Sequence, residues 1–298
     1  MVYHIPALLK ESIDGLKIRP DGIYVDVTFG GGGHSMEILK RLETGKLIAF
    51  DQDEDAGLNA PVDEKFLFLN QNFRFLRNNL LFNNIESIDG LIADLGVSFH
   101  QFDEPGRGFT FRQDAPLDMR MNKRGNITAA HLLKTMDEAS LANIFYKHGE
   151  LVNSRRIARE IVAARNAKPM TTANDLTDVI GKLAPFRQEH KFYARVFQAL
   201  RIAVNHEIDY LQEMLQQALS ILKTGGRLVI ISYHSLEDRV IKNFMKTGSF
   251  EGEEKKDFYG NIETPFRIIN RKGTIPHDEE IAINNRARSA RLRIAEKI

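Results

Sequence analysis

The chain has 298 residues, of which 43% are hydrophobic and 27% are charged, values typical of a globular protein with a full core and roughly two domains. It contains no cysteine, which excludes disulfides, thiolate metal sites and cysteine nucleophiles. No apolar run is long enough for a membrane span and no signal peptide opens the chain, so we expect a cytoplasmic protein without a membrane partner.

The first chemical signal is a strand, a glycine turn and a helix in succession. Ile23–Val27 is a short apolar run with β-branched residues, which predicts a buried strand. Four glycines follow, Gly30 to Gly33, and the spacing of apolar residues predicts a helix over His34–Leu42. This order is typical of the first unit of a nucleotide-binding α/β domain, where the backbone approaches the ligand closely.

The residues around this turn limit the ligand. No Gly-Lys-Ser/Thr is present, and counting a G-x-G-x-x-G pattern from Gly30 puts Ser35 at its last glycine. The next predicted strand, Leu47–Phe50, ends on Asp51, which is placed to accept hydrogen bonds from ribose hydroxyls. Asp26 in the first strand favours S-adenosylmethionine, whose methionyl end is cationic. A tight turn without a ligand is the simpler alternative.

The α/β alternation continues to about residue 95. Further helices are predicted at Asp53–Asn59 and Phe73–Phe82, and further strands at Phe66–Leu69 and Ile88–Leu95. The last of these strands carries Asp94 near its end. Ligands of open α/β sheets bind outside the carboxyl ends of the strands, so Asp51 and Asp94 are expected at one edge.

The stretch Leu95–Gly125 has no strand or helix period. Four phenylalanines alternate there with arginine and lysine: Phe99, Phe102, Phe109 and Phe111 with Arg107, Arg112, Arg120, Lys123 and Arg124. We interpret it as an ordered loop against the active site, because aromatic and cationic side chains suit stacking on bases and pairing with phosphates. A hydrophobic loop packed under the sheet is the alternative.

Residues 128–205 read as helical. Helices are predicted at Thr128–Met136, Glu138–His148, Ser154–Asn166 and Thr172–Leu183, followed by a long helix that ends near Leu222, is broken near Asn205 and is stopped by Gly225 and Gly226. Residues 103–205 carry 17 Lys and Arg against 11 Asp and Glu, a net charge of +6, while the remainder carries −5. This asymmetry indicates a polyanionic partner, although a solvated helical face would explain part of it. Arg155, Arg156 and Arg159 span little more than one helical turn.

The α/β pattern then resumes. Arg227–Ser232 predicts a fifth strand, and His234 follows its end. Ser235 and Asp238 have capping-box spacing ahead of a helix at Leu236–Met245. Final strands are predicted at Arg267–Asn270 and Ala290–Ala295, the last of them antiparallel.

Seven motifs together resemble one family, the bacterial 16S (small-subunit) rRNA cytosine-N4 methyltransferases. They are DVTFGGGGHS (Asp26–Ser35), AFDQD (Ala49–Asp53), DLGVS (Asp94–Ser98), PGRGFTF (Pro105–Phe111), PLDMRM (Pro116–Met121), ISYHSLEDR (Ile231–Arg239) and ARSARLRIAE (Ala287–Glu296). The resemblance runs nearly from end to end, starting at Ala7–Leu16. It implies the cofactor S-adenosylmethionine and, as partner, a cytidine in the decoding centre of 16S rRNA within the small ribosomal subunit.

The resemblance also implies roles for individual residues. Gly32, Gly33 and His34 resemble the family's cofactor turn, and Asp51 its ribose-binding acid. Phe73 resembles an aromatic beside the adenine, and Asp94 and Gln101 resemble further cofactor contacts. Two positions depart from the pattern: Val27 stands where glycine is frequent, and Phe99-His100 replaces the more usual Ser-Pro, which puts the details of base binding in question.

We therefore expect an α/β protein with a Rossmann-like methyltransferase sheet in residues 1–102 and 206–298, and an all-helical insertion in residues 103–205. Asp94 and His234 are the catalytic candidates, the first to hold the amino protons of cytosine and the second to hold the base or take up a proton. Six residues are candidates for contact with RNA: Arg107, Arg120, Lys123, Arg155, Arg156 and Arg159. No metal is expected, and a homodimer is left open. A nicotinamide oxidoreductase, a methyltransferase for another RNA, a protein or a small molecule, and a non-catalytic RNA-binding protein are the alternatives.

Overall fold

The chain divides into two compact units in its computed structural model. The structure describes residues 6–98, 101–102, 104–254, 256, 259–260 and 263–298. The first unit takes Met1–Gly96 and Ile208–Ile298, and the second takes Val97–Glu207, which contains the whole of the predicted insertion. The departure at Phe99-His100 lies outside the described residues.

The first unit is built on a seven-stranded sheet. Its strands are β1 (Ile23–Asp26), β2 (Lys46–Phe50), β3 (Phe66–Leu69), β4 (Ile88–Asp94), β5 (Leu222–Ser232), β6 (Phe266–Ile268) and β7 (Arg291–Lys297). They lie in the order β3-β2-β1-β4-β5-β7-β6. Strands β1 to β5 are parallel, and β7 is antiparallel to both of its neighbours. From β1, strands β2 and β3 lie on one side of the sheet and β4 and β5 on the other, so the strand order reverses at β1. Ligands bind at such a reversal point in open α/β sheets.

The described helices are distributed between the two units. They are α1 (Leu9–Leu16), α2 (Gly33–Leu39), α3 (Leu76–Phe82), α4 (Ala129–Thr135), α5 (Glu138–Gly149), α6 (Ser154–Arg165), α7 (Ala173–Ile180), α8 (Glu189–Asn205), α9 (Glu207–Ile221), α10 (Ser235–Thr247) and α11 (Asp278–Ile283). The predicted helix Asp53–Asn59 is a 3-10 helix throughout, at Glu54–Asn59, whereas the predicted helix Phe73–Phe82 has a 3-10 turn at Phe73–Phe75 and continues as α3. None of the helices formed by the described residues has the length and apolar character that a membrane crossing requires.

Both faces of the sheet are covered, because successive side chains of a strand point to opposite faces. Tyr24 packs with α1 and α2 on one face, whereas Val25 packs with α3, α9 and α10 on the other. Asp26 shares the face of Tyr24, two residues on, and so lies towards α2. This alternation places one carboxylate inside the apolar layer between β1 and α2.

The predicted break in the long helix and its end near Leu222 are confirmed, but the predicted stop at Gly225 and Gly226 is wrong. His206 adopts a left-handed conformation, with φ of 52°, between α8 and α9. Gly225 and Gly226 do not stop a helix, because β5 already begins at Leu222. They lie in a bulge opposite Asp89, where the register with β4 jumps from Leu222 to Arg227. A Gly-Gly pair fits either a helix end or a bulge, and sheet pairing selects the bulge here.

The second unit has its own apolar core, formed by α4 to α8 and the segment before them. The side chain of Asn205 ties that segment to the end of α8: its Oδ1 accepts from Met121 N at 2.7 Å and its Nδ2 donates to Met119 O at 2.7 Å. Phe109 is buried in this core, and Phe111 packs edge-on against Phe197 at 5.5 Å between ring centroids. These two rings therefore pack in the unit's own core, and the interpretation of them as base-stacking groups is wrong.

Candidate functional site

The turn between β1 and α2 requires glycine at two positions for conformational reasons. Gly30 and Gly32 have φ of 51° and 79°, a region that side chains disfavour. Gly33 is required for space, since a Cβ there would stand 2.2 Å from Cγ of Pro6. The amide of Gly30 donates to Oδ2 of Asp51 at 2.8 Å. The turn is therefore held against the end of β2, with Asp51 beside it.

Asp26 is buried behind this turn and is 2% exposed. Its Oδ2 accepts from the Ser35 hydroxyl on α2 at 2.7 Å, and its Oδ1 accepts from Thr28 N at 3.0 Å. Burial raises the pKa of Asp26 to about 6, although these hydrogen bonds act in the opposite direction. The carboxylate is thus satisfied by the protein but costly to keep charged.

Asp51 accepts backbone hydrogen bonds with both oxygens, from Gly30 N at 2.8 Å and from Asp53 N at 2.8 Å. Burial raises the pKa of Asp51 to about 6, so it is ionised at neutral pH. Each carboxylate oxygen can accept a further bond. That remaining capacity suits a pair of neighbouring hydroxyl donors, as on a ribose ring, and the residues at this edge therefore fit the nucleoside part of the expected cofactor.

Two asparagines at the end of β3 complete this edge, and the sequence did not single them out. Nδ2 of Asn70 donates to the carbonyl of Asp51 at 3.0 Å, and Nδ2 of Asn72 donates to Oε1 of Gln52 at 2.7 Å. Asn72 also caps the turn that begins with Phe73, which is half-buried. These bonds join the loop that carries Phe73, the candidate for contact with adenine, to the loop that carries Asp51, the candidate for contact with ribose. The sequence could have indicated the two asparagines by their position directly after the predicted strand Phe66–Leu69.

Asp94, at the end of β4, is held by residues from two other elements. Its Oδ1 accepts from the Tyr233 hydroxyl at 2.7 Å, and its backbone N donates to Thr28 Oγ1 at 2.6 Å. Burial raises the pKa of Asp94 to about 7, and the bond from Tyr233 opposes that rise. The side chain nevertheless keeps 24% of its surface accessible. Asp94 is therefore an acid with a pKa close to neutral pH, and its side chain is accessible to a ligand.

His34 lies on the other side of Asp94. Its Nδ1 is 3.9 Å from Oδ2 of Asp94, which is beyond hydrogen-bond distance. Burial lowers the pKa of His34 to about 4, with the Ala7 backbone acting in the opposite direction. The ring is therefore neutral at pH 7 and places no positive charge beside Asp94.

His234 serves as the N-cap of α10, where the sequence had predicted Ser235. Its Nδ1 accepts from Glu237 N at 3.4 Å, and its Nε2 lies 3.2 Å from Oε1 of Glu237. The side chain is 9% exposed. Both ring nitrogens thus face Glu237, an arrangement that explains a histidine at this position by helix capping. Its assignment as a catalytic residue stays a prediction.

The remaining candidates belong to the second unit. Gln101 is buried and exchanges hydrogen bonds with Ser98, and its contact with cofactor stays a prediction. Arg107 is 5% exposed and donates to the carbonyls of Arg120 and Met121, at 3.0 and 2.9 Å. A guanidinium buried on backbone carbonyls holds the loop together, and the contact of Arg107 with RNA stays a prediction.

The other basic candidates are more accessible. Arg120 donates two hydrogen bonds to Asp118, of 2.7 and 2.6 Å, so part of its guanidinium is already occupied by a protein partner. Lys123 is exposed. Three exposed guanidinium groups share the surface of α6, those of Arg155, Arg156 and Arg159. Arg159 lies 3.7 Å from Glu138, and this exposed pair is weak in water.

The strand order, the glycine turn at the reversal point and the acids at the ends of β2 and β4 together define a Rossmann-like S-adenosylmethionine-dependent methyltransferase. Comparisons with known proteins assign the family. The profile of the MraW methylase family matches residues 1–298, and the chain belongs to this family of small-subunit ribosomal RNA methyltransferases.

Two relatives illustrate the similarity. Ribosomal RNA small subunit methyltransferase H of Bacteroides thetaiotaomicron is 56% identical over 298 residues, which cover 100% of this chain and 98% of the relative. The protein of the same name from Flavobacterium johnsoniae is 55% identical, with 100% and 99% covered. Among solved structures, an rRNA methylase from Streptococcus thermophilus is 15% identical, with a TM-score of 0.45 and 100% and 99% of the two chains covered.

Proposed function

We propose that this chain transfers a methyl group from S-adenosylmethionine to the exocyclic N4 of a cytidine in the decoding centre of 16S rRNA. The observation that carries the proposal is the state of Asp94. One of its oxygens is occupied by Tyr233, while the side chain stays accessible at the edge where the strand order reverses. An exocyclic amine needs a hydrogen-bond acceptor at such a place, because its lone pair is delocalised into the ring.

The absence of cysteine supports nitrogen as the target. Methylation at pyrimidine carbon-5 generally uses a cysteine thiolate that adds to the ring, and this chain has no cysteine. A ribose hydroxyl would require a base, commonly a lysine, and the segments around Asp94 and His234 contain none. An amine is activated by an acceptor alone, and Asp94 supplies one.

The chain's own residues divide the binding of the cofactor among them. The turn from Gly30 to Gly33 and the buried Asp26 would hold the methionyl end, while Asp51 would bind the ribose hydroxyls and Phe73 would contact the adenine. When bound, S-adenosylmethionine supplies an electrophilic methyl group on a sulfonium sulfur. These residues fix its position, and orienting the two reactants is the largest contribution that such a transfer requires.

Asp94 accounts for the proton in this reaction. The amine nitrogen gains a methyl group and must lose one proton, which the carboxylate of Asp94 would accept. With a pKa of about 7, Asp94 is a substantial fraction ionised at neutral pH and is protonated readily. The target base must leave its stack to reach this carboxylate.

The exposed arginines of α6 support a polyanionic substrate. Arg155, Arg156 and Arg159 carry charge on the surface of the second unit, whose predicted insertion has a net charge of +6. Guanidinium groups pair well with phosphates. The relatives named above are ribosomal RNA small subunit methyltransferases, and we extend that substrate to this chain.

The test is methylation of unmodified small ribosomal subunits with isotope-labelled S-adenosylmethionine, followed by digestion to nucleosides and mass spectrometry. We expect N4-methylcytidine, from one position of the decoding centre. Free 16S rRNA in a parallel reaction shows whether the assembled subunit is the substrate.

The variant Asp94→Ala should abolish turnover but bind the subunit with unchanged affinity, since the other RNA candidates remain. The matched control is Asp63→Ala, which removes a half-buried acid ahead of β3 that accepts from Lys65 N at 2.8 Å and belongs to no candidate site. A methyl group on carbon-5 or on ribose, or an active Asp94→Ala variant, would contradict the proposal.

A further inference from the structure

We propose that Tyr233 is a positioning residue for the reaction proposed above: it binds Oδ1 of Asp94 and thereby assigns Oδ2 to the target amine. The inference rests on the proposed function of Asp94. The sequence places Tyr233 just after β5, and nothing in the sequence pattern links it to the end of β4.

Tyr233 is fixed at both ends. Its backbone N donates to Oε2 of Glu237 at 2.9 Å, and its hydroxyl donates to Oδ1 of Asp94 at 2.7 Å. Glu237 is itself 3% exposed, on α10. The ring lies against Gly96, where an added Cβ would stand 3.6 Å from Cδ2 of Tyr233. A side chain held by its backbone, its ring and its hydroxyl has little freedom to release Asp94.

The two oxygens of Asp94 differ as a result. Among the described residues, Oδ1 accepts the Tyr233 hydroxyl, whereas Oδ2 accepts no hydrogen bond and lies 3.9 Å from His34 Nδ1. Thr28 fixes the backbone of Asp94 from the opposite side. The carboxylate therefore cannot rotate freely, and the oxygen left for a donor is always the same one.

Charge around Asp94 gives the hydroxyl a second effect. Burial raises the pKa of Asp94, and the neighbouring carboxylates Asp26 on β1 and Glu237 on α10 raise it further. His34 on α2 is neutral, since burial lowers its pKa to about 4. The Tyr233 hydroxyl is the group beside Asp94 that lowers the pKa of this carboxyl. It keeps part of the Asp94 population ionised at neutral pH, which is the form that accepts a proton.

The experiment is the pH profile of kcat for Tyr233→Phe on small ribosomal subunits. A hydrogen bond to a charged acceptor is worth on the order of one pH unit in a titration. We therefore expect the acidic limb of the kcat profile to move up by about one unit, with about fivefold lower kcat at pH 7 and recovery near pH 9. The KM values for both substrates should change by less than about twofold. A residue needed only for stability would lower activity equally across the profile.

Two further variants complete the test. Tyr24→Phe is the matched control, because it removes a buried tyrosine hydroxyl of the same unit that accepts from Arg19 N at 2.7 Å; its kcat profile should match that of the wild type. Replacement of Tyr233 by 3-fluorotyrosine keeps the shape but makes the hydroxyl a stronger donor, and should move the acidic limb down. This second replacement decides the matter even if Tyr233→Phe fails to fold.

The outcomes separate this inference from the proposed function. Tyr233→Phe with an unshifted acidic limb, or 3-fluorotyrosine with an unshifted limb, would overturn the positioning role while Asp94→Ala stays inactive. An active Asp94→Ala variant, or a product other than N4-methylcytidine, would instead remove the proposed function.

Discussion

Asp51 provides the sharpest test of the cofactor site, because its two oxygens already have known partners. Each accepts one backbone hydrogen bond, from Gly30 and from Asp53, and retains capacity for one hydroxyl donor. Asp51→Ala would remove both proposed bonds to ribose together with the tie to the glycine turn. A hydrogen bond to a charged group contributes about 1.5–3 kcal/mol, and roughly 1.4 kcal/mol is a tenfold change in affinity. Loss of even one therefore weakens binding by at least about tenfold.

The control must separate the ribose contacts from the support of the turn. Asn59 provides it, because its Nδ2 donates to the carbonyl of Gly30 at 3.1 Å and so holds the same turn from the other side. Asn59→Ala loosens Gly30 but leaves the Asp51 carboxylate in place. We expect it to weaken S-adenosylmethionine binding by less than about threefold.

Calorimetric titration of each folded variant with S-adenosylmethionine at pH 7.5 measures both effects. At that pH Asp51 is ionised, because burial raises its pKa only to about 6. Equal losses in Asp51→Ala and Asn59→Ala would show that Asp51 acts only by supporting the turn. Unchanged affinity in Asp51→Ala would remove it from the site altogether.

The remaining predictions concern the RNA surface and the buried acid. Neutralising Arg155, Arg156 and Arg159 should reduce the slope of log affinity for single-stranded RNA against log salt by about 2, with unchanged cofactor affinity; an equal slope would mean a merely solvated face. The control neutralises three exposed lysines of the first unit, Lys10, Lys17 and Lys46. The raised pKa of Asp94, about 7, means that its stabilising contribution is complete below its unfolded value near 4 and is lost as pH rises through 7. In urea unfolding, wild type should therefore lose about 2 kcal/mol more stability than Asp94→Asn between pH 5.5 and 8.5, a window above the pKa of His34; identical pH dependence in both proteins would contradict the raised pKa.

The sheet could be predicted from sequence because buried parallel strands are continuous apolar runs. Ile23–Val27, Leu47–Phe50 and Phe66–Leu69 are confirmed to within a residue or two as β1, β2 and β3. The location of the acids at one sheet edge could be predicted as well, because parallel strands bring their carboxyl ends to the same edge. The antiparallel direction of the final strand is also confirmed.

Side-chain partners could not be predicted in the same way. Tyr233 and Asp94 are 139 residues apart, and only the adjacency of β4 and β5 brings them together. Arg107 was equally ambiguous, because alternating Phe and Arg fits a loop that points its cations outward and one that buries them on carbonyls. At His234 and Ser235, two neighbouring residues both suit a helix cap, and the extended backbone of His234 decides between them.

Three acids at one sheet edge are costly to keep ionised in the free protein, and their arrangement explains why they are kept. Burial raises the pKa of Asp26, Asp51 and Asp94, which shows that the folded protein alone does not fully compensate their charge. Asp51 and Asp94 have different protein donors, and each keeps capacity for a further hydrogen bond. In the proposed reaction that capacity corresponds to a ribose diol and an aromatic amine, while the charge of Asp26 lies near a cationic methionyl group. Cofactor and base would supply the missing hydrogen-bond donors. The cost of ionising these acids in the free protein would then favour ligands that carry such donors over ligands that lack them.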